Sequence, residues 1–185
     1  MIRKDFKYKV IKNFLSEEEK KLLKTFTILE TRLNKTNFDP CLSSTPNLGD
    51  YSATIMESLL LNKKELMEKE TELKLHPTYS FWRMYTAGSN LFKHKDRESC
   101  EISCTVNIGS CGTPWPIFMD DVPVTLETGD AAIYLGREVK HWREEFQGDW
   151  NAQVFLHYVD KNGPYADFHM DKRVYFGING GINNQ

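Results

Sequence analysis

Residues 78–96 read TYSFWRMYTAGSNLFKHKD, and this stretch decides the fold. Its first eight residues are rich in aromatic side chains and free of Gly and Pro, the composition of a strand. AGSN then supplies a turn, and the chain runs on to His94-Lys95-Asp96. The same texture continues downstream. EISCTVNIGS (101–110), WPIFMDD (115–121), VTLETGDAAIYLG (124–136), VKHWREEF (139–146) and NAQVFLHYVD (151–160) are short β-rich runs divided by turn residues. Six or so strands at this spacing predict an antiparallel sandwich or barrel.

Upstream the texture is helical. Residues 8–14 form a first strand candidate. Ser16 followed by Glu19 makes a capping box that opens a helix with Leu22, Leu23 and Phe26 as apolar positions. NFDPCLSSTPNLGD (37–50) is rich in Pro, Ser, Asn and Gly, so residues 36–50 are expected to be a long loop, either a lid or a plain surface connection. A second helix is predicted over 52–70 with Ile55, Leu59 and Leu66 inward, ending in the charge-dense KKELMEKETELK. Helices first and strands after is an α+β order, mainly β, with the N-terminal helices packed on one sheet. The expected division is helical support and loop over 1–77, a β core over 78–160, and a C-terminal extension over 161–185 ending in a frayed GINGGINNQ.

The chain has 185 residues, a length for one domain that buries its own core. A net charge of −2 gives no global footprint for nucleic acid or an acidic membrane surface. No apolar run reaches the roughly 20 residues of a membrane span. The N-terminal MIRKDFKYKVIKNF is too weakly apolar for a secretory signal, so a cytoplasmic location is expected. Cys100 and Cys104 fall in a strand-like stretch and face one way as buried thiols, too far apart for a disulfide. Cys41 and Cys111 lack a CxxC spacing, which argues against zinc.

His94 and Asp96 lie two apart, and on an extended segment their side chains point the same way. An imidazole and a carboxylate on one side of a cation make two corners of a 2-His-1-carboxylate facial triad, the arrangement of Fe(II) oxygenases. The third corner must come from another of the five histidines: His76, His141, His157 or His169.

The surrounding motifs resemble the 2-oxoglutarate/Fe(II) oxygenases of the prolyl 4-hydroxylase type. WRMYTAGSNLFKHKD is similar to the family's tyrosine, glycine, then HxD pattern, with Tyr85 nine residues before His94. ISCTVNIG looks like the family strand ending in an asparagine, here Asn107. TGDAAIYLGREVKH is similar to the Gly-Asp-apolar strand leading to the distal histidine, here His141, 47 residues after His94. The resemblance covers roughly residues 80 to 160. It implies a double-stranded β-helix (jelly-roll) and a metal triad of His94, Asp96 and His141. It further implies Fe(II), 2-oxoglutarate and O2 as cofactor and co-substrates, with ascorbate as reductant, and hydroxylation with release of succinate and CO2.

The sequence departs from the family at one place. The basic residue that binds the distal carboxylate of 2-oxoglutarate generally lies about ten positions after the distal histidine, where this chain has Asn151, and no Lys or Arg occurs from 144 to 160. A buried carboxylate needs a cation, and the arginine fork suits it best. Arg143 shares a strand face with His141, roughly 6.6 Å farther along, and is the expected replacement. Arg83, on the face of Tyr85, is the second candidate. Asn151, Gln153, Phe155 and His157 share one face and are expected to line the pocket, with Tyr85 bonding the co-substrate. Trp115, Trp142 and His157 are candidate substrate contacts. The implied substrate is a prolyl residue in a peptide or protein. A free amino acid or other small metabolite, or a non-catalytic cupin-like binding role, are the alternatives.

Overall fold

The computed structural model describes residues 6–32, 36–37, 42–45 and 47–177. Alternation along its strands sorts side chains into two layers. A seven-stranded antiparallel sheet has the order β1-β9-β6-β11-β4-β3-β2. Its strands are β1 (Tyr8–Ile11), β2 (Thr36–Asn37), β3 (Asn47–Tyr51), β4 (Leu75–Thr86), β6 (Ile102–Ser110), β9 (Ala131–Leu135) and β11 (Trp150–Asp160). A four-stranded sheet, β5-β10-β7-β8, faces it, built from β5 (Leu91–His94), β7 (Ile117–Met119), β8 (Val122–Val124) and β10 (His141–Arg143). Helices α1 (Glu17–Thr31) and α2 (Thr54–Thr71) accompany the larger sheet. This is the expected jelly-roll with helical support.

The capping box at Ser16 is present. Glu19 N–H donates to Ser16 Oγ at 3.2 Å, and Ser16 N–H donates to Glu19 Oε2 at 2.8 Å. Beneath the helices lies the main core. Met56, Leu59, Leu60 and Met67 of α2 pack with Trp82 and Met84 of β4, Val106 of β6 and Val154 and Leu156 of β11. Of the predicted inner face of α2, Leu59 is buried, while Ile55 and Leu66 pack at its margin. The intervening residues of the same strands point the other way, between the two sheets, and build the site.

Several expectations need correction. β4 starts at Leu75, so His76 lies in a strand rather than a preceding loop, and its ring stacks on His169 at 4.5 Å. The first strand ends at Ile11, three residues earlier than expected, before Asn13 takes a left-handed φ of 51°. Cys100 closes a 3-10 turn over Glu98–Cys100 rather than entering the strand with Cys104, although both thiols are buried. The expected loop over 36–50 is partly sheet. β3 pairs with the edge of β4 from Leu48↔Met84 to Tyr51↔Phe81, and a Cβ at Gly49 would collide with the Trp82 carbonyl. Residues 38–41, with Cys41, and residue 46 lie outside the described residues, as do residues 178–185 of the expected tail. No helix among the described residues is long and apolar enough to cross a membrane.

Candidate metal centre and co-substrate pocket

The register of the smaller sheet brings two histidines side by side. β5 and β10 pair with His141 opposite His94, and their ring centroids lie 4.3 Å apart. Asp96, two residues beyond the end of β5, is held by its N–H donating to Gly136 O at 2.8 Å. Gly136 is glycine for want of space: a Cβ there would collide with Asp96 Oδ2, Ser103 Oγ and the Cys100 carbonyl. Asp96 Oδ1 then sits 3.6 Å from His94 Nε2 and 3.4 Å from His141 Nε2.

These donors suit a divalent cation. Both Nδ1–H groups donate to backbone carbonyls, His94 to Phe92 O at 2.7 Å and His141 to Val139 O at 3.1 Å, which frees both Nε2 lone pairs toward Asp96. Ligand bonds of about 2.1 Å at right angles put donors roughly 3 Å apart, slightly closer than the distances here. Ser103 Oγ–H donates to Asp96 Oδ2 at 2.7 Å, leaving Oδ1 as the free oxygen, and His157 Nδ1–H donates to Ser103 Oγ at 3.0 Å. Burial opposes ionisation of Asp96, but the adjoining His141 and His94 outweigh it and hold the carboxyl far below the usual carboxylate range.

A second donor cluster, Asp96, Cys100 and His157, shares the carboxylate. It is the poorer cation site. Burial pushes the Cys100 thiol up to about 12, away from the thiolate that metals need, and His157 Nδ1 is committed to Ser103. His157 therefore supports the Asp96 carboxylate from behind rather than replacing His141.

A cavity of about 240 Å³ opens beside the triad. His94, Asp96 and His141 are on its wall with Arg83, Tyr85, Tyr134 and His157. Leu42, Tyr51, Tyr79, Phe81, Leu91, Arg97, Ile117 and Phe155 complete it. Leu42 is held there by Phe92 N–H donating to its carbonyl at 2.8 Å, so the described part of the 36–50 segment does border the site. Behind this wall rather than on it, Arg143 is 3% exposed. Its Nη1 donates to Trp115 O, and its guanidinium lies over the Trp115 ring at 4.6 Å. Burial pushes its pKa down to about 10, which still leaves it cationic at neutral pH.

Among the described residues, seven buried side-chain polar atoms have no partner, and five of them belong to this interior: Arg83 Nε, Tyr85 Oη, Asn107 Oδ1, and Nε and Nη2 of Arg143. Buried polar groups are normally satisfied, so their concentration here marks a place built for a polar guest. Neither Arg83 nor Arg143 has an acidic partner among the described residues, whereas Arg97, Arg137 and Arg173 each pair with one.

The other predicted residues divide. Asn151, Gln153 and Asn107 do face inward but are tied up beneath the cavity: Gln153 Nε2 donates to Asn151 Oδ1 at 2.6 Å, and Asn107 Nδ2 to Leu126 O at 2.8 Å. Trp115 is floor rather than wall, its Nε1–H donating to Glu144 O at 2.8 Å and its ring packing edge-on against Tyr85. Trp142 points out of the barrel, as the residue between His141 and Arg143 must, and stacks on Phe118 at 5.0 Å. It is not a substrate wall. Ser103, Gly136, Tyr79, Phe81 and Arg97 were not anticipated. Strand alternation was the signal for three of them: Ser103 shares the inward face of β6 with Asn107, and Tyr79 and Phe81 share that of β4 with Arg83 and Tyr85.

No family model matches the sequence, and no curated relative matches it. Solved structures do match in shape. A Pseudomonas putida prolyl-4-hydroxylase superposes with a TM-score of 0.69 at 14% identity over 84% of this chain and 94% of that one. The viral collagen prolyl hydroxylase of Paramecium Bursaria Chlorella virus-1, in its 2-oxoglutarate complex, gives 0.63 at 12% identity over 83% and 96%. The non-heme alpha ketoglutarate dependent epimerase SnoN of nogalamycin biosynthesis gives 0.68 at 12% identity over 84% and 78%. The chain thus has the fold of the 2-oxoglutarate/Fe(II) oxygenases, prolyl hydroxylases among them.

Proposed function

We propose that this protein is an Fe(II)- and 2-oxoglutarate-dependent dioxygenase that hydroxylates its substrate with release of succinate and CO2. One observation carries the proposal: His94 Nε2, His141 Nε2 and Asp96 Oδ1 converge on one cavity with Tyr85 on its wall, and behind that wall the buried Arg143 guanidinium has no acidic partner among the described residues, its Nε and Nη2 as unpartnered there as the Tyr85 hydroxyl. A bound Fe(II) supplies open coordination positions for the keto acid and O2, and the redox chemistry.

The chain's own residues do the rest. The backbone carbonyls of Phe92 and Val139 fix both imidazole tautomers. Ser103 holds Asp96 to one free oxygen. Arg143 and Tyr85 receive the distal carboxylate of 2-oxoglutarate, exchanging orphaned donors for charge-assisted hydrogen bonds. Burial of that end of the cavity keeps water away from the reacting atoms.

For the substrate, a prolyl residue agrees with the motif resemblance. The aromatic rings of Tyr79, Phe81 and Phe155 offer a pyrrolidine a flat apolar wall. A free amino acid or small acid is the second reading, favoured by Arg83, a further cation on that wall. The test is succinate formation from 2-oxoglutarate with Fe(II), O2 and ascorbate, first with no substrate and then with prolyl peptides and free amino acids. Metal binding without any succinate would leave a non-catalytic binding protein instead.

A further inference from the structure

We propose that the substrate carries a negative charge, and that Arg83 is the residue that recognises it. The proposal rests on the oxygenase function above and names the class of molecule that function acts on.

Arg83 is 6% exposed and sits in the wall of the cavity on β4. Its neighbours within the strand are Phe81 and Tyr85, whose ring centroids lie 5.1 and 5.6 Å from its guanidinium carbon. Across the sheet it pairs with Gly49 on one side and Gln153 on the other. None of these is an acid. A ring face softens the cost of a buried cation but does not neutralise it, and a buried charge without a counter-ion is costly.

The formal charges inside the barrel sharpen the point. Among the described residues Arg83 and Arg143 are its cations without an acidic partner, and Asp96 is the carboxylate at the metal site. A divalent metal with Asp96 and the dianion of 2-oxoglutarate carries one net negative charge. Two guanidiniums exceed that by one. The loaded site is therefore short of one anion, and the third molecule to enter is the substrate. Position agrees with charge. Arg143 is enclosed against Trp115 and does not line the open cavity; its place is the one assigned above to the far end of the co-substrate, while Arg83 faces the open cavity beside His94. Arg97 at the rim is no competitor, because Asp171 already holds both its terminal nitrogens, at 2.8 and 2.7 Å. The geometry fits a carboxylate whose attached carbon chain lies along Phe81 and Phe155 toward the metal.

The experiment uses the full chain loaded with Mn(II), a redox-inert paramagnetic substitute, and saturating 2-oxoglutarate. Acetate and acetamide are the probes, of the same shape and differing in charge. Paramagnetic broadening of each methyl proton signal reports residence near the metal. Acetate is expected to broaden at least threefold more than acetamide. Arg83→Gln should erase that difference and Arg83→Lys should restore part of it. The 2-oxoglutarate Kd should move less than threefold in either variant, which also shows that both are folded. Equal broadening of the two probes in the native protein overturns the proposal. So does an acetate excess that survives Arg83→Gln, which would place the acetate on the metal itself. A tenfold or larger loss of 2-oxoglutarate affinity in Arg83→Gln also overturns it, by making Arg83 part of the co-substrate anchor. Failure of the native protein to bind Mn(II) and 2-oxoglutarate, read before any probe is added, would instead remove the oxygenase function and the proposal with it.

Discussion

Along β11, Ala152, Val154, Leu156 and Tyr158 point to the helices, while Asn151, Gln153, Phe155 and His157 point between the sheets. β4 divides in the same way, with Trp82 and Met84 on the helix side and Phe81, Arg83 and Tyr85 on the cavity side. Neighbouring residues of the same strands thus serve opposite ends. The helix side is apolar and closely packed, and the Tyr158 hydroxyl there donates to Leu60 O at 2.7 Å, although Trp82 Nε1 has no partner among the described residues. The cavity side concentrates unsatisfied groups: Nε of Arg83, Nε and Nη2 of Arg143, Oδ1 of Asn107 and the Tyr85 hydroxyl have no partner among the described residues. The lesson is that stability and chemistry are separated by a single residue step. The stable face carries the energetic burden of the exposed-in-waiting groups opposite it.

The largest effect that tests this division is on the metal. Changing His94, Asp96 or His141 to Ala should abolish Fe(II) binding while thermal unfolding of the metal-free protein moves by only a few degrees. Equilibrium dialysis and calorimetry measure the two quantities side by side.

Next in size is Leu156→Ala on the opposite face. It should cost about 2–5 kcal/mol in unfolding free energy, as cavity-forming core substitutions do, yet leave metal and 2-oxoglutarate affinity of the folded protein unchanged. A large loss of affinity there would show that the two faces are not independent.

Arg143→Ala should weaken 2-oxoglutarate binding by about 2–5 kcal/mol, at least roughly 30-fold in Kd, with Fe(II) binding nearly intact. Because the variant also removes a buried charge that lacks a counter-ion, the metal-free protein should become no less stable. Arg143→Lys should recover only part of the affinity, since a point charge does not reproduce the fork.

How much of this was legible beforehand follows the same division. The cavity-side ligands could be read because HxD spacing and the Gly-Asp-apolar approach to His141 are local patterns, and the strands because turn residues punctuate them. β3 was hidden because NLGDY has little strand propensity of its own. It is a strand because β4 offers an open edge and Gly49 allows the approach to Trp82. Gly136 acts on Asp96 from forty residues away, and no local pattern announces a contact of that kind, whereas Ser103, seven residues from Asp96, could be placed on the inward face of its strand but not matched to its partner. Trp142 was misplaced by ring chemistry, although the alternation that turned His141 and Arg143 inward had already turned it out.

The smallest expected effect is a pH dependence confined to the helix side. Burial of Glu68 works against its ionisation, but Lys64, the Leu75 N–H and Lys74 prevail and hold its carboxyl at about 2, against an ordinary 4.5. A depressed folded-state pKa contributes stability that is full above about pH 4.5 and fades as pH falls toward 2. Glu68→Gln should therefore lower the melting temperature at pH 7 by more than at pH 2.5. An equal shift at both would show that the ionised carboxylate contributes nothing.

The central claim, that His94, Asp96 and His141 hold an iron to which 2-oxoglutarate binds with its far end on Arg143, is tested most directly by anaerobic titration of the Fe(II)-loaded protein with 2-oxoglutarate, followed through the iron–keto charge-transfer absorption. The native protein should develop the band and saturate at one equivalent. His141→Ala should show none, and Arg143→Ala should show the same band only at concentrations at least roughly 30-fold higher. A native protein that binds Fe(II) yet develops no band, or a band that persists unchanged in His141→Ala, would contradict the account.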